Sequence, residues 1–360
     1  MIIVHFSFIK SYKDGGIYFY IKNLVEFQNK LGVKSYWITS NRNGKNISNQ
    51  KIIKELEDLC PDIIHIHGLW RKPTRLISKI SKISNNIIVS PHGMFNRFSF
   101  NKSQIKKIIA LLIYERANLQ KLKCFHSLNN YETKNIKKFF PNKRIEEISA
   151  GIKISEGRIE KTNLKWNHFL KKNDKILLYL GRLEPEKGIN ELIKGWMDIS
   201  YEAKKFGWWL VIVGYGSMKN NILKKSMDIE KRIIFHGEAY GEEKNYILNI
   251  ANAFILPSKS EGIPIAALEA LSFKTICLLT KECNLKVLSD INASIEIKKD
   301  SLNIKENLKN IFLLSNDEIQ LKSKIGFNYV KHKHNWLKIS EQTLSTYEKM
   351  IKDNNGKIFK

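Results

Sequence analysis

The chain has 360 residues, 43% hydrophobic and 27% charged, which is long enough for two domains and too apolar for a disordered polymer. Lysine and arginine number 61 against 35 aspartate and glutamate, a formal net charge of +26. That excess favours polyanionic partners such as nucleic acid, anionic lipid or phosphorylated substrates, and carries no information on fold.

In chain order, apolar runs at 2–8, 34–39, 62–67, 86–90, 124–127 and 145–149 predict strands, and 17–30, 51–59, 73–83, 103–119 and 130–139 predict helices. Such alternation implies a parallel sheet with helices on both faces. A polar, lysine-rich segment at 154–173 has no clear period and marks the expected domain boundary. The pattern then restarts, with strands at 175–180, 208–213, 233–236, 253–256, 275–279 and 294–297 and helices at 188–202, 217–228, 242–251, 264–272 and 302–314. The expected division is 1–162, 163–330 and a final stretch 331–360, whose amphipathic helix at 336–351 can return to the first domain. The fold class is α/β, with two Rossmann-like doubly wound domains. Facing each other, they would place strand carboxyl ends and helix N-termini on an interdomain cleft, where such folds bind ligands.

Cys60, Cys124, Cys277 and Cys283 form no CxxC pair, which argues against a disulfide framework or a zinc site and fits a reducing compartment. No basic flank, apolar core and cleavage site open the chain, and no apolar run approaches the roughly 20 residues of a membrane span. A cytoplasmic location is expected, with attachment to a membrane surface left open.

Asp14-Gly15-Gly16, between the first strand and helix, can bring the backbone close to an anionic ligand or form a plain tight turn. His65 and His67 alternate at a strand end and face one side, but no third ligand of matching spacing follows, so no metal site is expected. Ser90-Pro91-His92-Gly93-Met94 ends another strand and would aim His92 at a ligand hydroxyl. Phe95, Phe98 and Phe100, interleaved with Arg97 and Lys102, lead into Lys106, Lys107 and an apolar run to Tyr114. This basic, aromatic stretch suits an anionic membrane surface, or a helix over the sheet with a solvated lysine face.

Gly181-Arg182-Leu-Glu-Pro-Glu-Lys187-Gly188 follows the first strand of the second half and offers two cations to one diphosphate. Val213-Gly214-Tyr-Gly216 is half a dinucleotide fingerprint, with Lys219 where the third glycine would be. His236-Gly237 ends a further strand and could border a nucleotide base. Pro257 to Leu271 reads as strand end, loop and helix, with Glu261 on the loop, Pro264 at the first helical position and Glu269 inside the helix. The amides of Gly262 and Ile263 with the helix N-terminus would add an anion site between the two carboxylates. The sequence holds no D-x-D triplet, so a nucleotide-sugar enzyme built this way must neutralise diphosphate with protein cations.

Taken together and in order, Gly15-Gly16, Ser90-Pro-His92-Gly-Met, Gly181-Arg182 through Lys187-Gly188, Val213-Gly-Tyr-Gly216 and Glu261 through Glu269 resemble the family-4 retaining glycosyltransferases of the GT-B fold. The Ser-Pro-His-Gly-Met form looks like members that build bacterial lipopolysaccharide, O-antigen or exopolysaccharide. The resemblance implies a nucleotide-sugar donor, UDP- or GDP-linked, no cofactor and no metal, and a glycan or polyprenyl-diphosphate-linked acceptor at the cytoplasmic face of the inner membrane. It implies that Glu269 holds the donor ribose, Glu261 the donor sugar, Arg182 and Lys187 the diphosphate, and that Gly262, Ile263 and Pro264 lie beside them. It places His92 near the transferred sugar and Gly15-Gly16 near diphosphate and acceptor, and matches Glu132 to a family glutamate. Gly181, Gly214, His236 and Gly237 complete the expected donor set. Ser149-Ala150-Gly151 departs from the Pro-Asn-Gly that many members carry, which leaves no amide side chain for a contact from that position.

Two other readings compete. A basic nucleic-acid-binding protein would account for the +26 charge, but the lysines are dispersed and no nucleic-acid module is recognised. An NAD-dependent oxidoreductase or epimerase would use Rossmann domains, and the incomplete glycine fingerprint argues against it.

Overall fold

The computed structural model describes all residues except 10–14, 43, 102, 155–158, 221, 223–228 and 359–360. Asp14 and most of the helix expected at 217–228 therefore lie outside the described residues. The chain divides into two compact units, one of Met1–Gly151 with Asn335–Lys360, the other of Ile152–His334. The boundary expected at 162 thus falls at 151. The reason is that Ile152, Leu164 and Trp166 are buried in the core of the second unit, so the aperiodic polar segment hides its anchors.

The first unit is a seven-stranded sheet in the order β3-β2-β1-β4-β5-β6-β7. Its strands are β1 (Ile2–Ile9), β2 (Lys34–Arg42), β3 (Lys45–Asn46), β4 (Ile63–His67), β5 (Ile87–Ser90), β6 (Cys124–Ser127) and β7 (Arg144–Glu147). All neighbours are parallel except the short β3, which closes a hairpin on β2. Alternation along the strands splits the core. Val4, Phe6, Ile64, Ile66, Val89 and Phe125 pack on one face. Ile3, Ile63, Ile88 and Cys124 pack on the other, against Leu344, Tyr347 and Met350 of the helix Trp336–Ile358. That helix lies on helix Gly16–Lys30, and Trp336 sits so tightly on Gly151 that a Cβ there would come within 2.5 Å of the indole.

The second unit is a six-stranded, all-parallel sheet ordered β10-β9-β8-β11-β12-β13. The strands are β8 (Lys175–Leu180), β9 (Trp208–Val213), β10 (Ile233–Gly237), β11 (Ala253–Leu256), β12 (Ile276–Thr280) and β13 (Ser294–Ile297). Trp208-Trp-Leu-Val-Ile-Val213 is buried throughout, as a strand covered on both faces requires.

Several helices differ from expectation. The stretch 73–83 forms two short helices, Lys72–Arg75 and Ile77–Ile80, and 188–202 breaks into Ile189–Met197 and Ser200–Lys205. A π-helical turn, Leu111–Glu115, interrupts the helix between Gln104–Ala110 and Arg116–Gln120. Helix Asn316–Lys333 was not expected. Its signal was legible, because Ser315 and Glu318 form a reciprocal capping box. No helix among the described residues is long and apolar enough to cross a membrane.

Candidate functional site

In the second unit, the loops after β8 and β11 are stitched together. Beyond β8 the chain passes Arg182, makes a single turn at Pro185–Lys187, and enters helix Ile189–Met197 through Gly188 at φ 70°. A Cβ on Gly188 would fall 2.0 Å from the Pro257 carbonyl oxygen, so only glycine lets this turn rest on the end of β11. Lys259 N–H donates to the Glu186 carbonyl at 2.7 Å, and Ser258 Oγ donates to the same oxygen at 3.2 Å. Thr280 Oγ1 then holds the Ser258 carbonyl at 2.6 Å.

These ties deliver the expected residues to the carboxyl ends of adjacent strands. Lys187 Nζ lies 2.5 Å from Glu261 Oε1, with the side chains 15% and 9% exposed. Glu261 is fixed from behind, where Asn284 Nδ2 donates to the carbonyls of Glu261 at 2.8 Å and Gly262 at 3.2 Å. An ammonium has three donors and Glu261 takes one. Arg182 is half exposed, and its guanidinium stands 3.8 Å from Glu186. The neighbouring helix, Ile265–Ser272, starts one residue later than expected. Pro264 caps it, and its carbonyl accepts from Ala267 N–H at 3.0 Å and Leu268 N–H at 3.2 Å. Glu269 extends from this helix to Lys244 Nζ at 2.7 Å. Sequence reasoning missed Lys244, Asn284 and Glu186, since nothing local ties them to the site.

The glycines sort into two groups. Gly214 and Gly216 serve packing, because a Cβ on Gly214 would come within 1.8 Å of the Gly181 carbonyl oxygen, and one on Gly216 within 2.4 Å of the Leu183 carbonyl oxygen. The half-fingerprint therefore seats the end of β9 on the loop after β8. Gly237, at φ 93°, has no atom within 4 Å of a Cβ position and borders open space. His236 Nδ1 accepts from Trp166 Nε1 at 2.9 Å, and its Nε2 is 3.6 Å from Glu243. Burial holds its pKa below the ordinary value, outweighing Glu243.

In the first unit, Gly15 caps helix Gly16–Lys30 at φ 61° with nothing within 4 Å of a Cβ. His92 follows β5 at φ 53°, unusual for a residue with a Cβ, and Gly93 follows at φ 76°. Glu132 braces this turn. Its Oε1 accepts from Gly93 N–H at 2.5 Å and its Oε2 from Leu128 N–H at 2.8 Å. Burial raises the Glu132 pKa to about 7, only partly opposed by those two donors.

His65 and His67 do have a third histidine beside them. Parallel pairing of β1 with β4 sets His5 opposite His65. The ligand atoms of His5, His65 and His67 lie within 4.8 Å of one another, close enough to converge on an ion. Each ring is already bonded on both nitrogens. His5 meets His67 at 2.9 Å and Gln28 at 2.8 Å, His65 meets Tyr347 at 2.6 Å and Ser90 at 2.7 Å, and His67 also meets His92 at 3.0 Å. An ion would have to break this network, and among the described residues the set includes no carboxylate.

The stretch from Phe95 to Tyr114 divides into buried and exposed side chains. Phe95 and Phe100 are core residues, with Phe95 stacked on Phe139 at 5.2 Å, whereas Phe98 is exposed. Ile105, Ile108, Ile109, Leu112 and Ile113 are exposed too, while Leu111 and Glu115 point inward. The side chain of Arg97 and residue 102 lie outside the described residues.

Residues 160–323 match the family of glycosyl transferases group 1. An uncharacterized glycosyltransferase of Haemophilus influenzae is 29% identical over 43% of this chain and 44% of its own length. The putative teichuronic acid biosynthesis glycosyltransferase TuaC of Bacillus subtilis is 25% identical over 62% of this chain and 54% of its own. The UDP-Gal:alpha-D-GlcNAc-diphosphoundecaprenol alpha-1,3-galactosyltransferase of Escherichia coli is 26% identical over 66% and 64%. The chain thus spans about half the length of the curated relatives it matches. Among solved structures, sucrose-phosphate synthase of Thermosynechococcus elongatus superposes at TM-score 0.77 with 15% identity, covering 98% of this chain and 100% of its own. HepE of Anabaena, in complex with UDP and glucose, does so at 0.72 with 12% identity, covering 97% and 99%. Residues 160–323 are therefore a glycosyl transferases group 1 domain, and the two α/β units of the chain are those of the GT-B fold.

Proposed function

We propose that this chain is a retaining glycosyltransferase that moves a sugar from a UDP- or GDP-sugar to a glycan or polyprenyl-diphosphate-linked acceptor, without a metal, in bacterial surface polysaccharide synthesis. The observation that carries the reading is the stitched pair of loops in the second unit, which sets Arg182, Lys187 and Glu261 at neighbouring strand ends, where parallel α/β sheets bind ligands. Arg182 and Lys187 take the diphosphate, Glu269 the ribose and Glu261 the donor sugar, while the first unit receives the acceptor beside Gly15-Gly16 and His92. The acceptor oxygen bonds to the anomeric carbon on the face that the phosphate leaves. The carbon–oxygen bond to the donor phosphate breaks, and the hydroxyl proton passes to the departing phosphate oxygen. Fixed cations stabilise the charge that gathers there.

A thermal-shift series with UDP- and GDP-sugars in EDTA tests this, followed by product NMR with the stabilising donor. Stabilisation should survive EDTA, reaching about 2.7 kcal/mol at a hundredfold excess over Kd, and the new linkage should keep the donor's anomeric configuration. No stabilisation by any nucleotide sugar, or an inverted linkage, would refute the reading.

The same reading places the enzyme on the cytoplasmic face of the inner membrane. Ile105, Leu112 and Ile113 are 75%, 73% and 72% exposed, while Glu115 of the same helical segment is buried. Apolar residues at 105, 108, 109, 112 and 113 form one outward stripe beside Lys106 and Lys107, which suits insertion among anionic headgroups. Each buried apolar side chain contributes about 1.5–3 kcal/mol, so Leu112→Glu with Ile113→Glu should weaken sedimentation with anionic phospholipid vesicles by more than about tenfold. Unchanged sedimentation, or equal binding to zwitterionic vesicles, would remove this surface from the proposal.

A further inference from the structure

A line of hydrogen bonds in the first unit ends on His92. It begins at Gln28, whose Oε1 accepts from Ser35 Oγ at 2.8 Å and meets His5 Nε2 at 2.8 Å. The Nε2 of Gln28 meets no hydrogen-bond partner among the described residues, so the amide acts on this line through its oxygen. An amide oxygen only accepts, so His5 Nε2 carries the proton. Burial keeps the imidazoles of this line neutral, each below its ordinary pKa. A neutral ring with a proton on Nε2 leaves Nδ1 bare. His5 Nδ1 lies 2.9 Å from His67 Nε2, which must donate. His67 Nδ1 is bare in turn and lies 3.0 Å from His92 Nε2.

We propose that Gln28, His5 and His67 are positioning residues that lock His92 as the Nε2–H tautomer, so that it offers a bare Nδ1 to a substrate hydroxyl. The proposal rests on the reading of His92 as substrate-facing. The ring is also held sterically, because Tyr20 meets it edge-on at a centroid distance of 5.1 Å. A flip of the imidazole would break the bond to His67. His92 in this state accepts from a hydroxyl and does not donate to a ligand oxygen through Nδ1. None of this is local in sequence, because Gln28, His5, His67 and His92 come from a helix, two neighbouring strands and the turn after a third.

The test is nitrogen-15 NMR of the full chain labelled in histidine, with His92 assigned by the signal lost in His92→Ala. His5, His67 and His92 should each show a single Nε2–H tautomer. Gln28→Met, which removes the acceptor, should turn the single His92 tautomer into a mixture, and Gln28→Glu, which keeps an oxygen there, should restore it. A wild-type His92 protonated on Nδ1, or a mixture in the wild type, overturns the lock. So does a single Nε2–H signal that persists in Gln28→Met. Transfer at the wild-type rate by His92→Ala would remove the substrate-facing reading instead and leave the tautomer result standing.

Discussion

Lys187→Met should lower transfer by about a hundredfold to a thousandfold, the range for losing one fixed group that stabilises developing charge. The same change should destabilise the second unit, because Glu261 is 9% exposed and would lose the ammonium 2.5 Å away. Losing a hydrogen bond to a charged group costs about 1.5–3 kcal/mol, and this pair is part-buried. The two effects separate in a double variant. Lys187→Met with Glu261→Gln leaves no stranded carboxylate, so denaturant unfolding should return towards wild type while transfer stays low. Arg182→Met offers a second contrast. Arg182 is half exposed and its contact to Glu186 is 3.8 Å, so stability should change by less than about 1 kcal/mol. Turnover of Lys187→Met within tenfold of wild type would refute the placement of the diphosphate at this loop.

Acid should unfold the first unit near pH 5. His5, His65, His67, His92 and His126 are held neutral, with pKa values pushed to about 4 for His5 and His126, to about 3 for His92, and well below the ordinary value for His65 and His67. Desolvation is the leading cause in each. In the unfolded chain a histidine protonates near pH 6.5, whereas the folded chain cannot take up these protons. The stability they support is therefore present above pH 6.5 and lost as pH falls below it, by about 1.4 kcal/mol per pH unit per histidine. Glu132 acts in the opposite sense. Its folded pKa of about 7 exceeds its unfolded value, so the folded state holds a proton that the unfolded state releases, and acidification through this window stabilises. Five histidines against Glu132, with Glu115 raised by burial and acting more weakly in the same sense as Glu132, leave a net loss of about 4–5 kcal/mol per pH unit, or about 6–8 kcal/mol between pH 6.5 and 5. That is comparable with the total stability of a domain. Urea unfolding at pH 8, 6.5 and 5.5, read from Trp336 in the first unit, would show it. Stability that stays flat or rises on acidification would show that these histidines are not held neutral.

The alternation of apolar runs made most strands legible, because a parallel sheet covered on both faces needs continuous burial, as in Trp208–Val213. Glu261, Arg182, Lys187 and His92 could be singled out as candidates because each lies on a loop just after a strand, and Glu269 because it follows in the helix after that loop. Helix Asn316–Lys333 was missed although its capping box stands in the sequence. Alternating aromatic and basic residues left a membrane surface and a cover over the sheet both open for Phe95, Phe98 and Phe100, and only packing on Phe139 and its neighbours puts Phe95 and Phe100 inside. Gly214 and Gly216 look like a ligand loop in sequence and are demanded by carbonyls of the adjacent loop.

By itself the sequence determined the class of fold, the strand-end positions of the candidate residues and the resemblance to a glycosyltransferase family. Those properties depend on local periodicity and on spacing along the chain. Tertiary structure decided which charges meet. Lys187 and Glu261 stand 74 positions apart and are paired because Gly188 rests on Pro257 and brings two loops together. His5 stands 62 positions from His67, and their bond follows from the parallel pairing of β1 with β4. Parallel neighbours are joined by long crossovers, so no local pattern encodes the partner across the sheet.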